Sequence, residues 1–489
     1  MKKGLLTFAI VFFQFLIVFD LIGQGFEKHY STKYSCGIGP VIELDSCYII
    51  ITNRYSNVQG SGFHPYDLMV YKISLDGNFL DSLNIYNNDS AVTYCMTAKI
   101  VGSSIVTFAT LLNTNTGGGE GVLLSFDFDL HLTKQIAFDL PADYSLIFSF
   151  FVDTDSTYYI SGNNFIPNFN GSPFIIKLTD SGKLLKTVLL NDPEGRNAVL
   201  LYIPIKDEFR LTTTQSIWYL SRDLQSDSLV WQSPGNDTIN VYDLSLPKLI
   251  NDTSYVTTGL VFAFDQNGEV YIEIGFVNRS IDTTIHALHV FDEYDTSNQV
   301  NPWSFDFIDS DSIFISCNSN VGSNWLPIGV GQDVWITIYN VRSDGTINWK
   351  KRYGQNADYV WPRLCATRDQ GCLIACERYD WQQLWPNYKT DLYLIKTDRF
   401  GNSSSVGIND MVPTEKAIVF QDLINNQLVV QLEQTAILRL YDVGGRLVYE
   451  NNLISGLTKI STNHFKAGMY LYSLYNKAGF LSSGKVLMR

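Results

Sequence analysis

The feature that most constrains this chain is a repeated pair of strand patterns in the stretch 26–409. The clearest copy joins Asp45–Thr52 (DSCYIIIT) to Asp67–Asn78 (DLMVYKISLDGN). It returns as Asp155–Gly162 (DSTYYISG) with Ser172–Lys183 (SPFIIKLTDSGK), and as Asp369–Cys376 (DQGCLIAC) with Asp391–Asn402 (DLYLIKTDRFGN). Looser copies open at Gly102, Asp207, Asp252 and Asp311, so successive units start 45 to 59 residues apart. That is the length of one four-stranded propeller blade.

The third strand of each unit argues for a propeller rather than a sandwich. Leu68–Tyr71, Phe174–Ile176 and Leu392–Ile395 are continuously apolar instead of alternating. Such strands suit a sheet covered on both faces, as a blade is by its two neighbours. The expected fold is all-β: a β-propeller of about seven blades, then a small Ig-like β-sandwich. Leu260–Gly275 (LVFAFDQNGEVYIEIG) reads as an extra hairpin in unit five, which leaves six or eight blades open. Unit six has an outer strand, Ile347–Tyr353 (INWKKRY), whereas nothing comparable follows Gly401 in the last unit. Phe26–Tyr30 (FEKHY) resembles the missing strand and is expected to complete that blade, closing the ring.

Loop lengths divide the two faces of the disc. Turns between strands one and two and between three and four are tight, as at Asp45-Ser46, Asp76-Gly77, Asp180–Gly182, Asp344-Gly345 and Asp369-Gln370. Long connections join strands two and three: Asn53–Tyr66, Asn163–Gly171, Asn320–Gln332 and Arg378–Lys389. They carry Tyr55, Phe63, Phe165, Trp325, Tyr379, Trp381, Trp385 and Tyr388. Loops on a rigid scaffold are where binding usually sits, and flat aromatic rings suit sugars or protein partners. The candidate ligand-binding residues are Trp381 and Trp385 foremost, with Tyr379, Tyr388, Trp325, Tyr55 and Phe63.

No sequence pattern carries a reaction. G-x-S-x-G, H-E-x-x-H and the phosphate-binding G-x-x-x-x-G-K-[ST] do not occur. Gly117–Gly121 lacks the lysine and helix start that a phosphate loop needs. His286 and His289 are three apart on a strand and point to opposite faces, which does not suit a shared metal. Acidic pairs such as Asp153/Asp155 and Asp309/Asp311 lack calcium-loop spacing and read as turn residues. We therefore expect no cofactor and no metal; structural calcium has no motif behind it. Cys372 and Cys376 lie about 13 Å apart on one strand at ~3.3 Å per residue, too far to bridge. The seven cysteines are expected to be mostly buried thiols. A net charge of −14 argues against nucleic acid as a partner.

The chain's two ends read as addresses. Lys2-Lys3 and the apolar run Leu5–Phe19 have the layout of a signal peptide spanning 1–24, shorter than the ~20 apolar residues of a membrane span. No later segment reads as transmembrane. After a linker at 410–416, the stretch 417–489 is a separate small β domain, the body being 25–409. Leu438–Glu450 (LRLYDVGGRLVYE) reads as a hairpin; Lys466–Leu474 (KAGMYLYSL) and Gly484–Arg489 (GKVLMR) read as further strands.

These residues resemble the type A C-terminal sorting domain of cargo carried by the type IX secretion system of Bacteroidota. The resemblance rests on Tyr441, Asp442, Gly445 and Val448 in the hairpin, Gly468 and Tyr470 in the next strand, and Lys485 in the last. It departs at Val419–Leu428 (VFQDLINNQL), where members usually carry Pro-Asn-Pro. It implies recognition by the outer-membrane secretion machinery and a secreted or cell-surface destination. Two functions remain open: binding of a glycan or protein through the long-loop face, and hydrolysis or lysis of an extracellular polysaccharide at the channel mouth.

Overall fold

The computed structural model describes the strands and most short turns of residues 25–403 and 418–488; residues 1–24, 404–417 and the connections at 32–34, 56–65, 86–89, 114–118, 165–171, 193–196, 233–239, 265–269, 282–285, 292–298, 320–333 and 380–389, with several shorter ones, lie outside the described residues. The chain divides into two compact units, Met1–Ser403 and Ser404–Arg489.

Seven antiparallel sheets make up the first unit. Their inner strands are Ser35–Glu43 (blade one), Ala98–Val101 with Ser90–Val92 (two), Ser145–Val152 (three), Val199–Ile203 (four), Lys248–Asn251 with Asn240–Asp243 (five), Gln299–Asp309 (six) and Asp358–Ala366 (seven). Each blade then proceeds outward strand by strand, as Cys47–Tyr55, Tyr66–Ser74 and Phe79–Ile85 do in blade one. The seventh obtains its outer strand from the other end of the body. Phe26–Tyr30 pairs antiparallel with Thr390–Thr397, from Phe26 opposite Lys396 to Tyr30 opposite Leu392. The expected closure is therefore present, and the blade count is seven. The extra hairpin read into unit five is a correction. Ser254–Phe264 and Val270–Ser280 are that blade's own second and third strands, lengthened to 11 residues each.

Burial follows the layering. Third strands are closed on both faces, Pro173–Leu178 being almost wholly buried, whereas outer strands such as Leu184–Leu189 alternate with solvent. Each interface between neighbouring blades has its own apolar cluster, among them Phe108, Phe150 and Ile176 between blades two and three. Among the described residues, the interface between blades four and five has a small apolar cluster, with Ile203, Tyr255 and Ile281 at its centre. A buried guanidinium fills it. Arg210 lies 4.6 Å from the ring centre of Tyr219 and 5.2 Å from that of Tyr255, and donates to the carbonyls of Ser280 and Ile281.

One five-residue turn follows the third strand in five of the blades, closing a hairpin to the fourth strand in blades one, two, three and six. In Ser74–Asn78, Asp127–His131, Thr179–Lys183, Arg342–Thr346 and Asp398–Asn402 the first N–H bonds the fifth carbonyl, and the fourth N–H bonds the first carbonyl. The fourth residue must take positive φ, which Gly77 (78°), Gly182 (79°), Gly345 (83°) and Gly401 (76°) do freely. All seven cysteines are free, six of them buried, as expected.

The second unit packs two sheets over one core. Ile418–Asp422, Gln427–Leu432 and Gly456–Ser461 form one; Leu447–Leu453, Ala436–Asp442, Gly468–Asn476 and Gly479–Met488 form the other. Leu428, Val430, Leu438, Leu440, Leu474 and Val486 meet between them.

Candidate functional site

The long connections leave the ring between the second and third strands of each blade. Ring closure decides which of them are neighbours. The connection 56–65 rises from blade one, 320–333 from blade six and 380–389 from blade seven, three consecutive blades once the N-terminal strand has joined blade seven. Their roots are therefore gathered in one sector although they lie hundreds of residues apart. Tyr55 ends its strand opposite Ser35 and Tyr66. Tyr379 ends its own opposite Asp358 and Thr390, and its side chain is buried. Phe63, Phe165, Trp325, Trp381, Trp385 and Tyr388 lie outside the described residues.

Beneath these roots a polar seam joins blade seven to blade one. A bulge between Ile38 and Val41 interrupts the inner ladder of blade one. The backbone groups of Ile38 are met from the next blade: Arg363 Nε donates to its carbonyl at 3.1 Å, and Glu377 Oε1 accepts its N–H at 3.4 Å. Thr390 Oγ1 donates to the Cys36 carbonyl at 2.8 Å and accepts the Cys36 N–H at 3.2 Å, while Ser35 Oγ accepts the Thr390 N–H. Within blade seven, His29 and Asp391 meet at 2.9 Å. Burial pushes the Glu377 carboxyl up to about 8, with Arg363 and the Ile38 N–H pulling the other way. The sequence reading missed these residues. Their signal was a polar side chain inside an otherwise apolar strand, and Asn53 and Asn163 do the same work in other blades by accepting the N–H of Cys95 and Ala198.

The opposite face spends its polar side chains on itself. Each adjacent pair of blades is tied there: Lys72 to Asp129, Lys134 to Asp180, Arg222 to Asp153, Lys206 to the Ile281 carbonyl, Lys248 to Asp306, Trp349 Nε1 to the Arg399 carbonyl, and Arg368 to Glu43. Among the described residues no cluster of three or more His, Cys, Asp or Glu is arranged to hold a metal ion.

In the second unit the expected hairpin residues lie in and beside one turn. Asp442 Oδ1 accepts the N–H groups of Gly444 (3.1 Å) and Arg446 (3.0 Å), and Oδ2 accepts Arg446 Nε at 3.1 Å. Those bonds, the Arg446 N–H first, hold its carboxyl below the usual range. Gly445 sits at φ 78°. Tyr441 precedes this turn and Val448 follows it, partly exposed. Tyr470 is buried two residues after Gly468, its hydroxyl donating to the Lys466 carbonyl at 2.9 Å, and Lys485 pairs through its backbone with Leu471.

Residues 424–488 match the family described as "Secretion system C-terminal sorting domain". The second unit is a type IX sorting domain. A sorting domain directs export across the outer membrane to the cell surface or the extracellular space, and the type IX machinery is the partner it implies. No helix among the described residues is long and apolar enough to cross a membrane.

No curated protein matches the chain in sequence. Among solved structures, the β-propeller domain of the Trilobed protease from Pyrococcus furiosus is 8% identical, covering 77% of this chain and 99% of that one at a TM-score of 0.41. A polysaccharide lyase, an ulvan lyase, is 9% identical over 76% and 97% at 0.46. The Neurospora crassa Pan2 WD40 domain is 8% identical over 76% and 94% at 0.44. The propeller described above stands on its own strand topology.

Proposed function

We propose that the propeller is the exported binding module of this protein and takes a glycan or protein ligand on the sector formed by blades six, seven and one. The observation that carries this reading is the ring closure, which roots three aromatic-bearing connections on consecutive blades. Tyr55, Phe63, Trp325, Trp381, Trp385 and Tyr388 supply the rings, backed by the buried Tyr379. The polar seam beneath ties the roots in blades seven and one together, the scaffold that a preorganised surface needs. The other face supports the same reading, because polar side chains there tie each blade to the next. Such binding requires no cofactor or metal. In the same proposal residues 1–24 act as a signal peptide and the host is a member of the Bacteroidota.

Glycan-array and cell-surface pull-down screening of the chain from Gln24 onward, beside a Trp381→Ala/Trp385→Ala variant, tests it. The expected result is a ligand retained by the wild type and lost, by about a hundredfold or more, in the variant. Equal retention by both proteins refutes the assignment. Shortening of a captured polysaccharide would instead favour a hydrolase or lyase.

A further inference from the structure

We propose that the propeller channel binds a small oxyanion between Lys99 and Lys248, a site separate from the long-loop sector. Three inner strands place a charge at one common level. Lys99 pairs with Val106, Lys248 with Val256 and Asp306 with Phe314. Each of those partners stands two residues after the serine that opens a second strand: Ser104, Ser254 and Ser312. The two lysines belong to blades two and five, on opposite sides of the ring and at matching positions of its inner strands.

Their surroundings differ. Lys248 Nζ is bound to the Asp306 carboxylate at 2.5 Å and lies 5.6 Å from the centre of the Phe305 ring. Asp306 is further engaged by the N–H groups of Phe307 and Ala366, both at 2.9 Å. Lys99 Nζ lies 5.3 Å from the centre of the Phe150 ring, and among the described residues no carboxylate pairs with it. Glu43, at the end of blade one's inner strand, is engaged by Arg368.

Two ammonium groups and one carboxylate leave one net positive charge at this level, inside a chain whose net charge is −14. Lys99 is exposed to solvent yet has protein on many sides of its ammonium group. That enclosure, and after it the charge of Lys248, holds its ammonium down to about 8. An anion between the two lysines would relieve both effects. Ammonium groups offer compact charge and rotating donors rather than a planar fork, so the fitting ligand is a small singly charged oxyanion. Inorganic phosphate and the carboxylate of an acidic sugar share that chemistry.

The test titrates the chain from Gln24 onward at low salt with sodium phosphate, with galacturonate and with neutral galactose, by calorimetry and by thermal shift. Saturable one-site binding of at least one anion is expected, with none of galactose. Response to phosphate alone identifies a free-anion site, and response to galacturonate alone an acidic-sugar site. Lys99→Gln and Lys248→Gln should each weaken binding about tenfold or more, Lys248→Arg should restore much of it, and Lys186→Gln on an outer strand should leave it unchanged. Lys99→Gln breaks no ion pair with a described carboxylate, so loss of binding with unchanged melting reads on the site and not on folding. Absence of saturable binding of both anions at millimolar concentration overturns the proposal, as does wild-type affinity in Lys99→Gln.

Discussion

At the scale of single residues, the turns show where sequence and backbone disagree. Leu130 (φ 65°) and Gln370 (φ 67°) both occupy positions that favour glycine. Leu130 is buried against the interface of blades one and two, while Gln370 faces solvent. A left-handed non-glycine residue costs ~1–2 kcal/mol, and glycine returns roughly half of that as extra freedom of the unfolded chain. Gln370→Gly should therefore stabilise by about 0.5–1 kcal/mol in urea unfolding, whereas Leu130→Gly should destabilise by about 2 kcal/mol or more, because a packed side chain is lost.

Glu377 gives a second prediction. Its carboxyl is raised from 4.5 to about 8 in the folded state, so folding takes up a proton there. The stability present in acid is then lost progressively as pH rises from about 4.5 to about 8. Wild-type melting temperature should fall across that window, and Glu377→Gln should flatten the fall. An unaltered pH profile in the variant would contradict it.

At the scale of elements, Phe26–Tyr30 matters beyond its five residues. It covers the whole length from Leu392 to Lys396, and Phe26 packs with Leu373 and Leu394 at the seam of blades seven and one. Without it, Thr390–Thr397 becomes an apolar edge strand, open to pairing with another copy. Deleting residues 26–31 should lower the melting temperature by about 10 °C or more and produce higher-order species on gel filtration. A monomer that melts as before would show that the ring closes by other contacts. The polar side chains inside second strands belong to this scale too. Asn53, Asn163 and Glu377 look out of place in the linear pattern, and only the neighbouring blade's bulged or ending backbone explains them.

At the scale of the whole molecule, the chain divides into two units, of which the second is the sorting domain. The sorting domain carries its own core, Leu428 to Met488, and its own hairpin turn. Removing residues 418–489 should leave a folded body inside the cell envelope: protease-resistant, with the melting behaviour of the full-length propeller, and absent from the surface and the medium. Normal export of the truncated chain would refute the address.

What the sequence determined by itself is whatever depends on local periodicity. Blade repeats, doubly buried third strands, Gly-closed turns and the sorting hairpin are all written within ten or twenty residues, because strand alternation and turn chemistry act at that range. Even the closing strand was legible, as a missing outer strand at one end and a matching segment at the other. What only the tertiary structure decided is convergence. It placed Lys99, Lys248 and Asp306 at matching positions on three inner strands, set Glu377 against Ile38, and showed the hairpin of unit five to be part of its blade. Those facts depend on how seven sheets close into a ring, and linear order carries no information about which side chains a ring brings face to face.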